Sequence, residues 1–594
     1  MPRHTLPHQL EDWANQKGAA NALFAQEPSG YRPITWADYW RLAREFAKAI
    51  IKNGHQVGDA VAIMGNNRYE WVIAELGTMT AGGIPAPIYP TSTPDQIKHI
   101  LANSGARFVV AELDEHIERI LPHANGGPVE HIIRMTKGDT SGPVVHFDDF
   151  VASGRDGDDA ALDARLAGIG PQDTGLFIYT SGTTGVSKGA ELTHEGLVAM
   201  GQMLEDALPD IKAFDIKTVS YLPLSHIAEQ IFTNFVHLLR GGEVYFCDDL
   251  KKVKDALAVV RPTIFVGVPR VWEKFEAALR ARFAEATGVK AKLAGWALKT
   301  ELEAFQRTIE TGNEVSSFSR NMANKLVISK VKAALGLDRL RIAASGAAPI
   351  SRGTLDFFAS IGIPIHEGYG MTETTGLLTA APFGRPRFGS VGKVLPGIDL
   401  KIADDGEIVA RGKNMTKGYF KMPEKTAELL DEDGWLHTGD LGRLDDDGFV
   451  HITGRKKDLI ITAGGKNVAP SEMEQHLSQI PGVGQAVVVG DRKPYLVALL
   501  ALDPEALGPL CEAAGVAVTD IATLAKDDKV RAFIDKQIES VCNAKVARYQ
   551  TIKKFEVLPQ PFSVETGEMT PSLKVKRNVV NARYEGVVEQ LYAS

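Results

Sequence analysis

Apolar positions recur along this chain in two alternating rhythms. From residue 35 to 50, Tyr39, Leu42, Phe46 and Ile50 return at helical spacing behind Thr35 and Asp38, a capping-box-like start, so a helix with one buried face is expected. Residues 61–64 form an apolar run read as a strand, 70–81 a helix, and 82–90 a strand between Gly/Pro-rich turns. Another helix follows, and then a strand at 107–111. Strands alternating with helices imply a parallel sheet covered on both faces. Residues 112–172 are largely polar, with a Gly/Asp cluster at 154–159, and read as a surface excursion without chemistry.

The rhythm continues with an apolar run at 175–179, a loop, a short strand and a helix from Thr193. Residues 261–274 read as a buried strand turning into a helix. No proline interrupts the interval from Pro269 to Pro349, where Leu298, Leu302 and Phe305 share one helical face. Residues 340–349 read as a strand ending in a small-residue loop. Beyond residue 458 the pattern changes. A turn at Gly464–Gly465, strands at 483–489 and 495–502, and helices at 471–480 and 528–546 describe a small α+β unit. A chain of 594 residues exceeds one compact core. The expected division is residues 1–454 and 455–594.

Charge and cysteine content narrow the function classes. A net charge of -8 argues against nucleic acid as the main partner. Cys247, Cys511 and Cys542 are far apart and form no CxxC pair, so they read as core filler in a reducing compartment. The N-terminus shows no secretory signal, and no apolar stretch is long enough to span a bilayer. A cytoplasmic protein is expected. Any contact with the inner membrane would be peripheral, and the lack of a strongly basic face on the helical interval weighs against it. A dimer stays open.

Candidate chemistry concentrates in a few strings. The loop from Tyr179 to Gly189 carries three glycines, the hydroxyls of Thr180, Ser181, Thr183, Thr184 and Ser187, and Lys188. Glycines let backbone N–H groups approach an anion, hydroxyls donate to phosphate oxygens, and lysine supplies positive charge. A P-loop is excluded, because the sixth position from Gly182 is Ser187 and Lys188 is followed by Gly189. On composition alone a plain surface loop remains a rival. In residues 366–373, Tyr369 offers an aromatic face, Thr372 a hydroxyl and Glu373 a hard oxygen ligand for Mg²⁺. Asp440 offers a carboxylate suited to two ribose hydroxyls. His226 stands beside apolar residues, where a histidine is more often structural.

Taken in order, these strings closely resemble the acyl-adenylate-forming superfamily of acyl-CoA synthetases, luciferases and peptide-synthetase adenylation domains. Residues 221–230 and 268–274 are similar to long-chain acyl-CoA synthetases. One departure is Ser187, where the family usually has proline; another is Gln230, where some long-chain relatives carry a tryptophan gate. The resemblance implies an α/β fold: a large N-terminal domain of two stacked αβ subdomains plus a small β-barrel-like subdomain, with a small mobile α+β C-terminal domain. It implies ATP and CoA as co-substrates, Mg²⁺ as cofactor and a long-chain fatty acid as the activated acid. Phosphates would meet Thr180, Ser181, Gly182, Thr183, Thr184 and Lys188, and Thr183 would join Glu373 at the metal. Adenine would lie against Gly346, Ala347, Ala348, Tyr369 and Gly370, with Thr372 on the α-phosphate. Asp440 would hold the ribose, and Arg455 would be the second ribose or phosphate contact. His226 would lie near the acyl carboxylate. Lys574 would be the adenylation lysine, with Lys576 its nearest competitor. Lys457 would be the hinge, and Gly464 and Gly465 would shape the CoA tunnel. The nearest alternative reading is a ligase that loads a carrier protein. The alternative from another class is a non-catalytic nucleotide- or lipid-binding protein.

Overall fold

The computed structural model describes residues 5–124, 127–180, 186–570 and 574–593. The helix Trp36–Lys52 begins where the Thr35 side chain accepts from the Asp38 backbone N–H, and it buries Tyr39, Phe46 and Ile50. It packs on the helix Tyr69–Thr80, which covers an all-parallel sheet with the strand order Ile84–Ile88, Ala60–Met64, Phe108–Ala111, His131–Arg134, Val144–His146.

The last two strands of that sheet correct the reading of residues 112–172 as a surface excursion. This interval also supplies the helices Asp114–Ile120, Phe147–Ala152 and Asp159–Ala167. Ile132, Ile133, Phe147, Phe150 and Leu162 are buried in the core. The strands are only 4 and 3 residues long, and each includes a histidine. Averaging over the polar loops therefore hides them.

A second sheet runs Ile264–Gly267, Ile342–Ser345, Ile365–Tyr369 in parallel and is extended antiparallel by Thr379–Ala380 and Lys393–Val394. A mixed sheet joins Lys217–Ser220, Glu243–Phe246, Asn21–Glu27 and Gly30–Thr35. An antiparallel meander follows: Ile398–Ile402, Glu407–Gly412, Leu436–Leu444, Val450–Arg455. The proline-free interval forms the helices Pro269–Ala284 and Gly288–Thr311; the latter buries Ala297, Glu301, Ala304, Phe305 and Thr308. Leu298 and Leu302 are half-buried beside them.

From residue 460 onward the buried apolar clusters draw on residues of that stretch alone. The strand Leu496–Leu502 is buried throughout, between Val483–Val489 and Ile552–Leu558. One face packs on the helices Pro470–Leu477 and Asp528–Gln537, the other on Arg577–Arg583 and Glu585–Ala593. A strand covered on both faces reads as an unbroken apolar run, as this one does. The α/β architecture with a smaller α+β part at the C-terminus is the expected one. The three cysteines are buried and free. Among the described residues no helix is long and apolar enough to cross a membrane.

Candidate active site

The loop from Tyr179 to Gly189 joins a hairpin, Thr174–Thr180 paired with Lys188–Thr193. Thr180 lies opposite Lys188 at the hairpin end. Ser181, Gly182, Thr183 and Thr184, expected on the phosphates, fall outside the described residues. Ser187, the departure from the family's proline, has its carbonyl held by His99 Nε2 at 2.8 Å, a restraint that proline would otherwise supply.

The returning strand is docked on the segment 416–420. The Glu191 N–H donates to Gly418 O at 2.9 Å, and the Phe420 N–H to Gly189 O at 2.8 Å. This docking places Tyr419 between two residues of the expected site. Its ring lies 4.1 Å from Lys188 Nζ, a cation–π distance. Its hydroxyl donates to Glu373 Oε1 at 2.6 Å. Burial pushes the phenol pKa far up, so Tyr419 stays protonated and can donate. Reading the sequence missed Tyr419, whose signal is a Gly-aromatic pair that many loops carry.

Glu373 is buried on the one-turn 3₁₀ helix Thr372–Thr374. Asn414 fixes this turn: its Nδ2 donates to Thr374 O at 2.8 Å, while Thr375 Oγ1 donates to Asn414 O at 2.6 Å. Gly370 is required just before the turn, because a Cβ there would collide with the carbonyl of Gly376. Among the described residues the second Glu373 oxygen accepts no hydrogen bond. No group of three or more metal-ligating side chains occurs among them either. One buried carboxylate with a free oxygen fits Mg²⁺, which is held by one or two carboxylates plus substrate phosphates.

Tyr369, Asp440 and Arg455 are brought together. Asp440 and Arg455 pair across neighbouring strands of the meander. Asp440 Oδ2 accepts from the Tyr369 hydroxyl at 2.8 Å and Oδ1 from Arg455 Nε at 2.9 Å. Burial, reinforced by Asp440, raises the Tyr369 pKa. Gly346, Ala347 and Ala348 follow the neighbouring strand Ile342–Ser345, and Ala347 takes a left-handed φ of 68°. Such a conformation is strained for a residue with a Cβ and is met mostly at functional turns. Glu367, two residues before Tyr369 on the same strand, was also missed. Burial pushes its carboxyl up to about 7, and one of its oxygens has no hydrogen-bond partner among the described residues.

His226 caps the short helix Ile227–Gln230, its Nδ1 accepting the Ala228 N–H at 3.1 Å. That bond leaves the proton on Nε2. Burial, with Lys574 nearby, pulls its pKa down to about 3, so the ring is neutral. Lys574 comes from the far end of the chain. Its ammonium stands within electrostatic reach of Arg455, Asp440 and Glu373, and burial and Arg455 lower its pKa. Lys456 turns away to Asp405 at 2.6 Å and Glu407 at 3.1 Å. The pKa of Lys457 is lowered by burial, Arg455 and Lys188. Gln230 is fully buried and donates to Leu224 O at 2.8 Å. Gly464 and Gly465 cap the two-stranded turn Ile460–Ile461/Asn467–Val468, with Gly465 at φ 70°. Among the described residues they make no hydrogen bond with Tyr369, Glu373 or Asp440.

Known proteins are similar to both the N-terminal and the C-terminal part of the chain. The chain is 34% identical over 624 residues to the long-chain-fatty-acid–CoA ligase ACSBG2 of Xenopus laevis, covering 100% of this chain and 84% of that protein. It is 37% identical over 565 residues to the long-chain-fatty-acid–CoA ligase FadD15 of Mycobacterium bovis, covering 94% and 92%. The crystal structure of the anthranilate CoA ligase AuaEII in complex with anthranoyl-AMP superposes with a TM-score of 0.74 at 20% identity, over 99% of each chain, a likeness of fold. Residues 10–420 match the AMP-binding enzyme family and residues 457–594 its C-terminal domain. These matches extend over most of the chain, which belongs to the AMP-binding enzyme family.

Proposed function

We propose that this protein is an AMP-forming long-chain fatty acid–CoA ligase. The observation that carries the reading is Lys574, a cation from the C-terminal part standing in the field of Glu373, Asp440 and Arg455. In the first half-reaction the fatty acid carboxylate attacks the α-phosphorus of ATP, the bond to the β-phosphate oxygen breaks, and pyrophosphate leaves. Two anions must approach, and Lys574 offsets their repulsion in the transition state. The neutral His226 directs its Nε2–H to the acyl carboxylate. Lys188 and the hydroxyls of residues 180–184 hold the departing phosphates. Asp440 and Arg455 hold the ribose, and Tyr369 stacks on adenine against Gly346, Ala347 and Ala348. Glu373, with Thr183, would hold Mg²⁺, which when bound neutralises phosphate charge. In the second half-reaction the CoA thiol attacks the acyl carbonyl, its proton is lost to solvent, and AMP leaves.

We place the division between the two functional parts at Arg455, with residues 1–454 before it and Lys457 as the hinge. Rotation there withdraws Lys574 and brings Gly464 and Gly465 to the pantetheine. Free, buried cysteines support a cytoplasmic location. The test is incubation with ATP, palmitate and CoA. Palmitoyl-CoA, AMP and pyrophosphate are expected. Accumulation of palmitoyl-AMP despite CoA would favour a carrier-protein ligase, and absence of palmitate-dependent ATP–pyrophosphate exchange would sink the reading.

A further inference from the structure

Two cations of the helix Pro269–Ala284 stand close to its N-terminus. Arg270 lies in its first turn and Lys274 one turn later, and no acidic residue occupies that first turn. Cations near a helix N-terminus meet the positive end of the backbone dipole, so the helix alone disfavours them. Arg270 has one partner on its own helix, Glu273 at 3.6 Å; the shorter contacts of both cations come from the C-terminal part. Arg270 pairs with Asp503, and Lys274 Nζ lies 2.6 Å from Glu505. Among the described residues these are the only ion pairs that join residues before 455 to residues beyond 459. Asp503 is set in advance: its side chain is 10% exposed, its N–H donates to Gly482 O at 2.9 Å, and its Oδ1 accepts the Glu505 N–H at 3.0 Å.

Asp503 directly follows the buried central strand Leu496–Leu502. Val497, Leu499 and Ala501 of that strand share a packed cluster with Met569, and Val575 packs against it. Met569 and Val575 bridge each other on either side of Lys574. The clasp and the lysine thus belong to one closely packed body, and close-packed interiors transmit displacement.

We propose that Arg270 and Lys274 are positioning residues that, through Asp503 and Glu505, hold Lys574 against the nucleotide site and so favour the adenylate-forming step over thioester formation. This rests on the ligase reading given above. Among the described residues the one other ion-pair partner of either cation is Glu273, beside Arg270.

The experiment compares two rates in the full-length protein: palmitate-dependent ATP–pyrophosphate exchange and conversion of supplied palmitoyl-AMP to palmitoyl-CoA. In the double variant R270E/K274E the ratio of first to second should fall about tenfold, since a solvent-accessible pair of this kind shifts an equilibrium by up to about fivefold. Adding D503R/E505K to that variant should restore the ratio by re-forming both pairs with reversed sign. If the charge swap folds poorly, ionic strength gives the second measurement. Raising salt from low concentration to about 0.5 M should lower the ratio in the natural protein and leave it flat in R270E/K274E, because exposed pairs are screened. An unchanged ratio, or both rates falling together with the same salt response, overturns the proposal. A natural protein without any exchange activity would overturn the ligase reading instead.

Discussion

Asp440 and Lys574 face the same site, yet the chain holds them by different means. Asp440 sits on a strand of the antiparallel meander, and both its oxygens are engaged, by Tyr369 and Arg455. Glu373 is likewise tied by Tyr419 and its turn by Asn414. These groups are built into one continuous core. Lys574 is tied locally through its backbone N–H, which donates to Thr570 Oγ1 at 3.0 Å. Its ammonium makes no hydrogen bond among the described residues and senses the site through charge alone. Under the proposed function, the nucleotide side is preorganised and the lysine side is delivered. A group needed in only one of two half-reactions gains from being held weakly, since it must also leave.

The largest expected effect separates the two sides. Lys574→Ala should slow palmitate-dependent pyrophosphate exchange roughly 100-fold or more, the scale for losing a group aimed at transition-state charge. It should spare thioester formation from supplied palmitoyl-AMP; equal loss of both activities would break the comparison. Asp440→Ala should instead damage both half-reactions, because AMP is bound in each. Removing a charged hydrogen-bond acceptor suggests a loss of about 2 kcal/mol, or roughly 30-fold in kcat/KM for ATP. Titrating both rates against ATP and palmitoyl-AMP checks this.

Smaller effects sharpen the same contrast. Tyr419→Phe removes the hydrogen bond to Glu373 and should cost about 1 kcal/mol, read as a roughly fivefold rise in the Mg²⁺ concentration needed for half-maximal exchange. The smallest is a shift in pH. In the proposed role the Lys574 cation is the active form, and its pKa is lowered, so exchange should fall on the alkaline side at a pH below the ordinary lysine range. Lys574→Arg should move that limb upward, and the thioester step should lack it. An alkaline limb shared by both steps would place the titrating group on the nucleotide side.

Much of this was legible in the sequence because it is local. The amphipathic helix at 36–52, the alternation of strands and helices, and the strings around Lys188, Glu373, Asp440 and Lys574 depend on spacing within a few residues. The polar interval 112–172 was misread for the same reason. Its strands are too short to show against their loops, and only the sheet they complete reveals Ile132 and Ile133 as core.

The sequence by itself determined the element types, the order of the motifs and the residue chemistry available, since these follow from backbone preference and side-chain identity. Only the tertiary structure decided which groups share a charge environment. Tyr419 meets Glu373 because the segment 416–420 docks on the hairpin strand. Arg270 meets Asp503 across 233 positions of sequence. Long-range pairs of this kind are set by the packing of whole elements, and no window of neighbouring residues records that packing.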